Sequence, residues 1–121
     1  MTADPPSVSL PLATLLGHTA DAIAAVRGGE SLNTALDRCP PRARPGTQAL
    51  SFHALRWLGS AEAARRILAK KAPAPRTDAL LLGALALLWP AGEPPYAEHV
   101  LVDQAVSAAR GRDSRCRRKI S

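Results

Sequence analysis

The sequence has few aromatic and few β-branched residues, which are the usual material of β-strands. Aromatic side chains make up 3% of the 121 residues, so a hydrophobic core must be built from aliphatic side chains. Alanine and leucine dominate the 46% hydrophobic content, and both are strong helix formers. The composition therefore predicts a single all-α domain of ordinary size.

Cysteine is also scarce, and the two cysteines, Cys39 and Cys116, form no metal-binding pattern. Neither a Cys-x-x-Cys pair nor a Cys/His group at zinc spacing occurs, so we predict no metal site. The longest apolar run, residues 79–89, is well short of the roughly 20 residues that span a membrane. The N-terminus lacks the pattern of a secretion signal. We expect a cytoplasmic protein with reduced thiols and no membrane partner.

Sequence patterns that carry catalysis are missing as well. The chain has no glycine-rich phosphate loop and no Gly-x-Ser-x-Gly nucleophile elbow. The three histidines, His18, His53 and His99, share no spacing that would bring them to one helix face. We therefore predict no catalytic residues and no cofactor.

Proline and glycine punctuate a series of helical patterns. Gly28 and Gly29 end the first pattern, Ser31 and Ser60 are suited to cap the second and fourth, and Pro45 suits the first turn of the third. The fifth is apolar all round, which is typical of a central, buried helix. Residues 1–9 are predicted to be a disordered lead. The predicted helices cover residues 10–27, 31–38, 45–58, 60–72, 77–89 and 99–110.

The polar faces of these helices hold the candidate binding residues. In the third helix, His53 and Arg56 share an edge that could hold an anion or a base, or hydrogen-bond a neighbouring loop. In the fourth, the periodicity places Arg65, Arg66 and Lys70 outward, as a phosphate-binding surface or simply a solvated face. The net charge of +6 favours a polyanionic partner, although part of it lies in a basic tail, residues 111–121.

The same periodicity predicts which apolar side chains face the core. In the sixth helix, the inward set is Val102, Ala105, Val106 and Ala109. In the fourth helix, the inward set is Ala63, Ala64, Ile67 and Leu68.

Four stretches of the sequence form a recognisable set of motifs: GGESLNTAL (28–36), an Arg–Gln–Leu–Leu-Arg-Trp pattern from Arg44 to Trp57, LLLGALALLW (80–89) and EHVLVDQAV (98–106). Together they resemble the helical domain shared by the transcription antitermination factor NusB and the N-terminal region of RsmB. RsmB is a bacterial ribosomal RNA cytosine-C5 methyltransferase. The Leu-Arg-Trp and the first Gly-Gly are more similar to the methyltransferase branch.

The resemblance implies a NusB-like helical bundle over residues 10–110 that binds RNA, ribosomal RNA above all, together with a protein partner. Arg44 and Arg56 are the polar positions that match the family pattern. With Arg65, Arg66 and Lys70 they form the predicted RNA-binding set. The alternatives are a stand-alone antitermination factor and a protein-interaction bundle without RNA.

The family continues with another helix where this chain reads GRDSRCRRKIS. We therefore expect a truncated or frame-shifted N-terminal part of such a methyltransferase, without its catalytic domain and hence not an enzyme. If the family's last helix normally covers the core, its loss leaves apolar surface exposed. Marginal stability or self-association is the expected consequence.

Overall fold

The computed structural model describes residues 10–71 and 73–120, and of residues 92 and 111–120 it describes the backbone alone. The predicted lead over residues 1–9 lies outside the described residues. No strand occurs in the described part of the chain, and the predicted all-α bundle of about six helices is confirmed. The helices are α1 (Leu12–Arg27), α2 (Leu32–Asp37), α3 (Arg44–Arg56), α4 (Leu58–Leu68), α5 (Pro75–Leu88) and α6 (Glu98–Ile120), with a short 3-10 turn at Pro90–Gly92.

Helix α5 is the centre of the bundle, as its apolar pattern predicts. It packs against α1, α3, α4 and α6. Leu82 and Leu87 on this helix have no solvent exposure. A Cβ atom at Gly83 would lie 3.2 Å from Cδ1 of Ile23, so the glycine lets α1 approach α5 closely.

Most helix ends follow the local sequence signals. The backbone N–H of Thr34 donates to Oγ of Ser31 at 3.1 Å, so the predicted cap of α2 is confirmed. Gly29 has a φ of 105° directly after α1, a conformation that glycine adopts without strain. The predicted cap at Ser60 is wrong, because α4 begins at Leu58 and a single turn residue, Trp57, separates it from α3.

Helix α6 differs from the prediction in length and in rotation. It continues to Ile120 rather than ending at Arg110. Among the described side chains of α6, Leu101 and Ala108 are buried, whereas Val102 and Val106 are 46% and 44% exposed, so the inward placement of the two valines is wrong. Ala105 and Ala109 pack against the core as predicted. No helix in the described part of the chain has the length and apolar character needed to cross a membrane.

Helix α4 is rotated relative to the predicted phase. Its buried residue is Ala61, and Ala64 is half-buried. Ala63 is exposed, and Ile67 and Leu68 are 82% and 71% exposed, so the inward placement of these three residues is wrong. In the second half of α4, the two largest aliphatic side chains thus face solvent instead of the bundle.

Candidate nucleic-acid interface

An ion-pair network between α1, α4 and α5, centred on one buried carboxylate, explains the rotation of α4. Asp78, in the first turn of α5, is buried. Its Oδ1 lies 3.1 Å from Nε of Arg65, as an ion pair without hydrogen-bond alignment, and its Oδ2 accepts from Nη1 of Arg27 at 3.5 Å. Nε of Arg27 also donates to Oε2 of Glu62 at 3.1 Å. Two arginines therefore neutralise two carboxylates, of which the Arg65–Asp78 pair is buried and the Arg27–Glu62 pair is partly exposed.

This network removes one residue from the predicted RNA-binding set. The side chain of Arg65 is 11% exposed, and its Nη1 donates to the carbonyl oxygen of Ala69 at 3.3 Å. The predicted outward position of Arg65 is therefore wrong. A helical wheel treats an arginine as solvated, whereas a buried carboxylate on the neighbouring helix draws this one inward because each charge compensates the other.

Arg44 also forms hydrogen bonds within the fold. Its Nε donates to the carbonyl oxygen of Leu36 at 3.2 Å, and its Nη2 donates to that of Cys39 at 3.3 Å. Leu36 is in the last turn of α2, and its carbonyl oxygen also accepts from the backbone N–H of Cys39 at 3.0 Å. The guanidinium of Arg44, at the start of α3, thus forms hydrogen bonds that stabilise the end of α2 and the connection between the two helices.

We expect Arg44→Ala to lower the free energy of unfolding by about 1–2 kcal/mol, because two carbonyls lose a charged donor. RNA affinity should change little once the protein is folded, since the guanidinium faces its own chain. Urea denaturation and RNA titration of the same preparation measure both quantities. Arg66→Ala is the control, because that arginine is exposed and has no partner among the described residues, so its loss should leave the free energy of unfolding nearly unchanged. A large loss of RNA affinity with unchanged stability would contradict the structural role.

Four exposed cations lie where α4 meets α5, and we call them the α4–α5 basic corner: Arg66, Lys70, Lys71 and Arg76. None of them forms a hydrogen bond or an ion pair with the residues that the structure describes. The outward positions of Arg66 and Lys70 are as predicted. Arg76 was not among the predicted site residues, because it lies one helix further along the sequence and only the turn between α4 and α5 groups it with the others.

The charge of this corner is not neutralised by its surroundings. The acidic residues of the adjoining helices, Glu62 on α4 and Asp78 on α5, are paired with Arg27 and Arg65. Arg76 is in the first turn of α5, where the positive end of the helix dipole adds to its charge. The corner therefore offers four cations and a helix N-terminus to an anionic partner.

His53 and Arg56, which the sequence predicts on one edge of α3, lie in two different environments. His53 is half-buried, and its Nε2 is buried without a hydrogen-bond partner among the described residues. The ring lines a pocket of about 420 Å³ together with Leu15, Gly46 and Tyr96. Arg56, at the last position of α3, is exposed and has no partner in the described part of the chain. Arg56 lies just before α4. Along the axis of that helix, Leu58 and Arg66 are about 12 Å apart.

No group of His, Cys, Asp and Glu side chains that could hold a metal ion occurs among the described residues. Comparison of the chain with models of protein families, with curated proteins and with solved structures gives no match.

Proposed function

We propose that this protein is an RNA-binding accessory domain, comparable to the N-terminal part of a ribosomal RNA cytosine-C5 methyltransferase. The observation that carries the proposal is the α4–α5 basic corner, whose four cations have no partner within the described chain while the neighbouring acids are neutralised. Arg56, at the far end of α4, adds a fifth exposed cation. We propose RNA as the polyanionic partner because of the sequence resemblance to an RNA-binding domain. A ribosomal RNA partner places the protein in the cytoplasm.

The mechanism is phosphate contact without base readout. Lysine and arginine side chains that neutralise phosphates release condensed counterions, which gives affinity that falls steeply with salt and depends little on sequence. No aromatic side chain belongs to the corner, so base stacking is not part of the contact. The domain would hold an RNA strand in place for chemistry performed by another module. Arg44 and Arg65, turned toward their own chain, are outside this surface.

The direct test is titration of a fluorescent ribosomal RNA fragment with the protein over a series of salt concentrations. Arg66→Gln/Lys70→Gln should weaken binding by about tenfold at low salt and flatten the slope of log K against log[salt] by about 1.4, because each lost contact to single-stranded RNA removes about 0.7. The effect should be similar for RNAs of different sequence, since phosphates carry no sequence information.

The control is Arg38→Gln/Arg42→Gln, which removes the same number of positive charges from the loop region between α2 and α3, where Arg38 is paired with Glu30. It should leave the salt slope near that of the unchanged protein. An affinity that does not respond to salt, or a control pair as damaging as the corner pair, would rule out the corner as the RNA surface.

One observation favours a second function, a protein-interaction bundle. Ile67 and Leu68 are 82% and 71% exposed, and they lie between Arg66 and Lys70 at the end of α4. Exposed aliphatic side chains of this size are typical of protein contact surfaces rather than of phosphate contacts. Affinity capture with and without nuclease separates the two functions, because a partner bridged by RNA is lost on digestion and a direct protein partner is kept.

A further inference from the structure

An apolar groove runs between α5 and α6 on the outside of the bundle. It has a volume of about 230 Å³. Helix α5 contributes Leu80, Leu81 and Ala84 to its walls, and α6 contributes Ala105, Val106 and Ala109. No charged side chain is among the described residues that line it. The groove is thus suited to apolar side chains rather than to a charged ligand.

The rim of the groove on α6 is itself an apolar ridge. Val102, Val106 and Ala109 follow one another at helical spacing, and the two valines are 46% and 44% exposed. The exposed ridge and the groove are adjacent because Val106 and Ala109 belong to both. A surface that presents a ridge beside a matching groove is complementary to its own copy across a two-fold axis.

The charges beside the ridge have the arrangement that an antiparallel pair requires. Asp103 and Arg110 are roughly two turns apart, so they lie on the same side of α6. In an antiparallel pair, the same side of each helix meets its copy. If the two-fold axis passes close to Val106, Asp103 of each chain lies opposite Arg110 of the other. Neither residue forms an ion pair with described residues of its own chain, and Asp103 accepts a hydrogen bond from the side-chain amide of Gln104.

We propose that this protein forms a symmetric homodimer in which α6 of each chain packs antiparallel against α6 of its copy, in the groove beside α5. The apolar contact comes from Val102, Val106 and Ala109, and two reciprocal Asp103–Arg110 pairs set the register. The charge pattern favours a second copy of this chain as the partner. Asp103 and Arg110 lie on the same side of one helix, and their spacing lets each pair with the other residue of a copy related by two-fold symmetry. The proposal does not depend on RNA binding.

Sedimentation velocity of the RNA-free, full-length chain over a concentration series tests the dimer. The unchanged protein should shift from monomer to dimer with increasing concentration. Val106→Glu should raise the dimer dissociation constant by at least about tenfold, because it buries a charge in an apolar contact. Phe52→Glu is the matched control, an equally drastic change at an exposed apolar residue on α3, and should leave the dissociation constant unchanged.

Charge reversal tests the register without disturbing the core. Asp103→Arg alone and Arg110→Asp alone should each weaken the dimer severalfold, because like charges then face one another. The double variant Asp103→Arg/Arg110→Asp should restore it, since both reciprocal pairs re-form with the signs exchanged. A monomer at all concentrations up to about 1 mM, a dimer indifferent to Val106→Glu, or a double variant no better than either single one would each overturn the proposal.

Discussion

Asp78→Ala is expected to lower the free energy of unfolding by about 3 kcal/mol, because it leaves the guanidinium of Arg65 buried without its counter-charge. The carboxylate is buried between two arginines, and Arg65, at 11% side-chain exposure, cannot recover its hydration without moving α4. Arg27 suffers less, since it keeps Glu62 and is partly exposed. Urea denaturation followed by far-UV circular dichroism measures the change.

The matched control is Glu30→Ala, which removes the carboxylate of the ion pair with Arg38. Both side chains of that pair are well exposed, and an exposed pair contributes about 0.2–1 kcal/mol. The comparison therefore contrasts a buried carboxylate between two arginines with an exposed carboxylate that pairs with one. Equal losses for Asp78→Ala and Glu30→Ala would mean that the Arg27–Asp78–Arg65 network does not hold α4 in its observed rotation.

Leu101→Ala should cost about 3 kcal/mol of stability, because it opens a cavity under α6 at a site with no solvent exposure. Leu101 is the fully buried contact of α6, which packs against both α1 and α5. Val102→Ala, at the next residue, should cost well under 1 kcal/mol, since that valine is 46% exposed. Denaturation should be compared at low protein concentration, where the monomer dominates.

The contrast between these neighbouring residues tests the rotation of α6. The sequence periodicity predicts Val102 on the inner face, and the structure places Leu101 there instead. If Val102→Ala proved the more damaging of the two, the helix would have the orientation that the sequence pattern suggested. The exposed apolar ridge proposed for the dimer would then face the core of the monomer.

The candidate RNA-binding surface could be predicted from the sequence only in part. Arg66 on α4 and Lys70 just after its end are exposed as predicted, because a cation without a neighbouring carboxylate stays in contact with water. Arg65 satisfies the same local rule and is nevertheless turned inward by Asp78. Arg76 completes the α4–α5 basic corner from another helix, and periodicity within one helix carries no information about its neighbours.

The sequence by itself determined the all-α class, the approximate position of the six helices and the central place of α5. These follow from local physics: helix propensity, the backbone freedom of glycine, the cap at Ser31 and the uninterrupted apolar pattern of residues 79–89. The lengths of α4 and α6 were less well predicted, since neither a single turn residue at Trp57 nor the run of α6 to Ile120 has a strong local signal.

The tertiary structure alone decided how α4 and α6 rotate about their axes. Both helices have small or apolar residues on more than one face, so more than one face can be buried at similar free energy and the helix's own pattern fixes the rotation weakly. On α4 the choice comes from Asp78, a buried charge on another helix that requires Arg65 as its partner. On α6 it comes from the space that α1 and α5 leave for Leu101. Interactions between helices thus determined which cations and which apolar side chains remain on the surface for a partner.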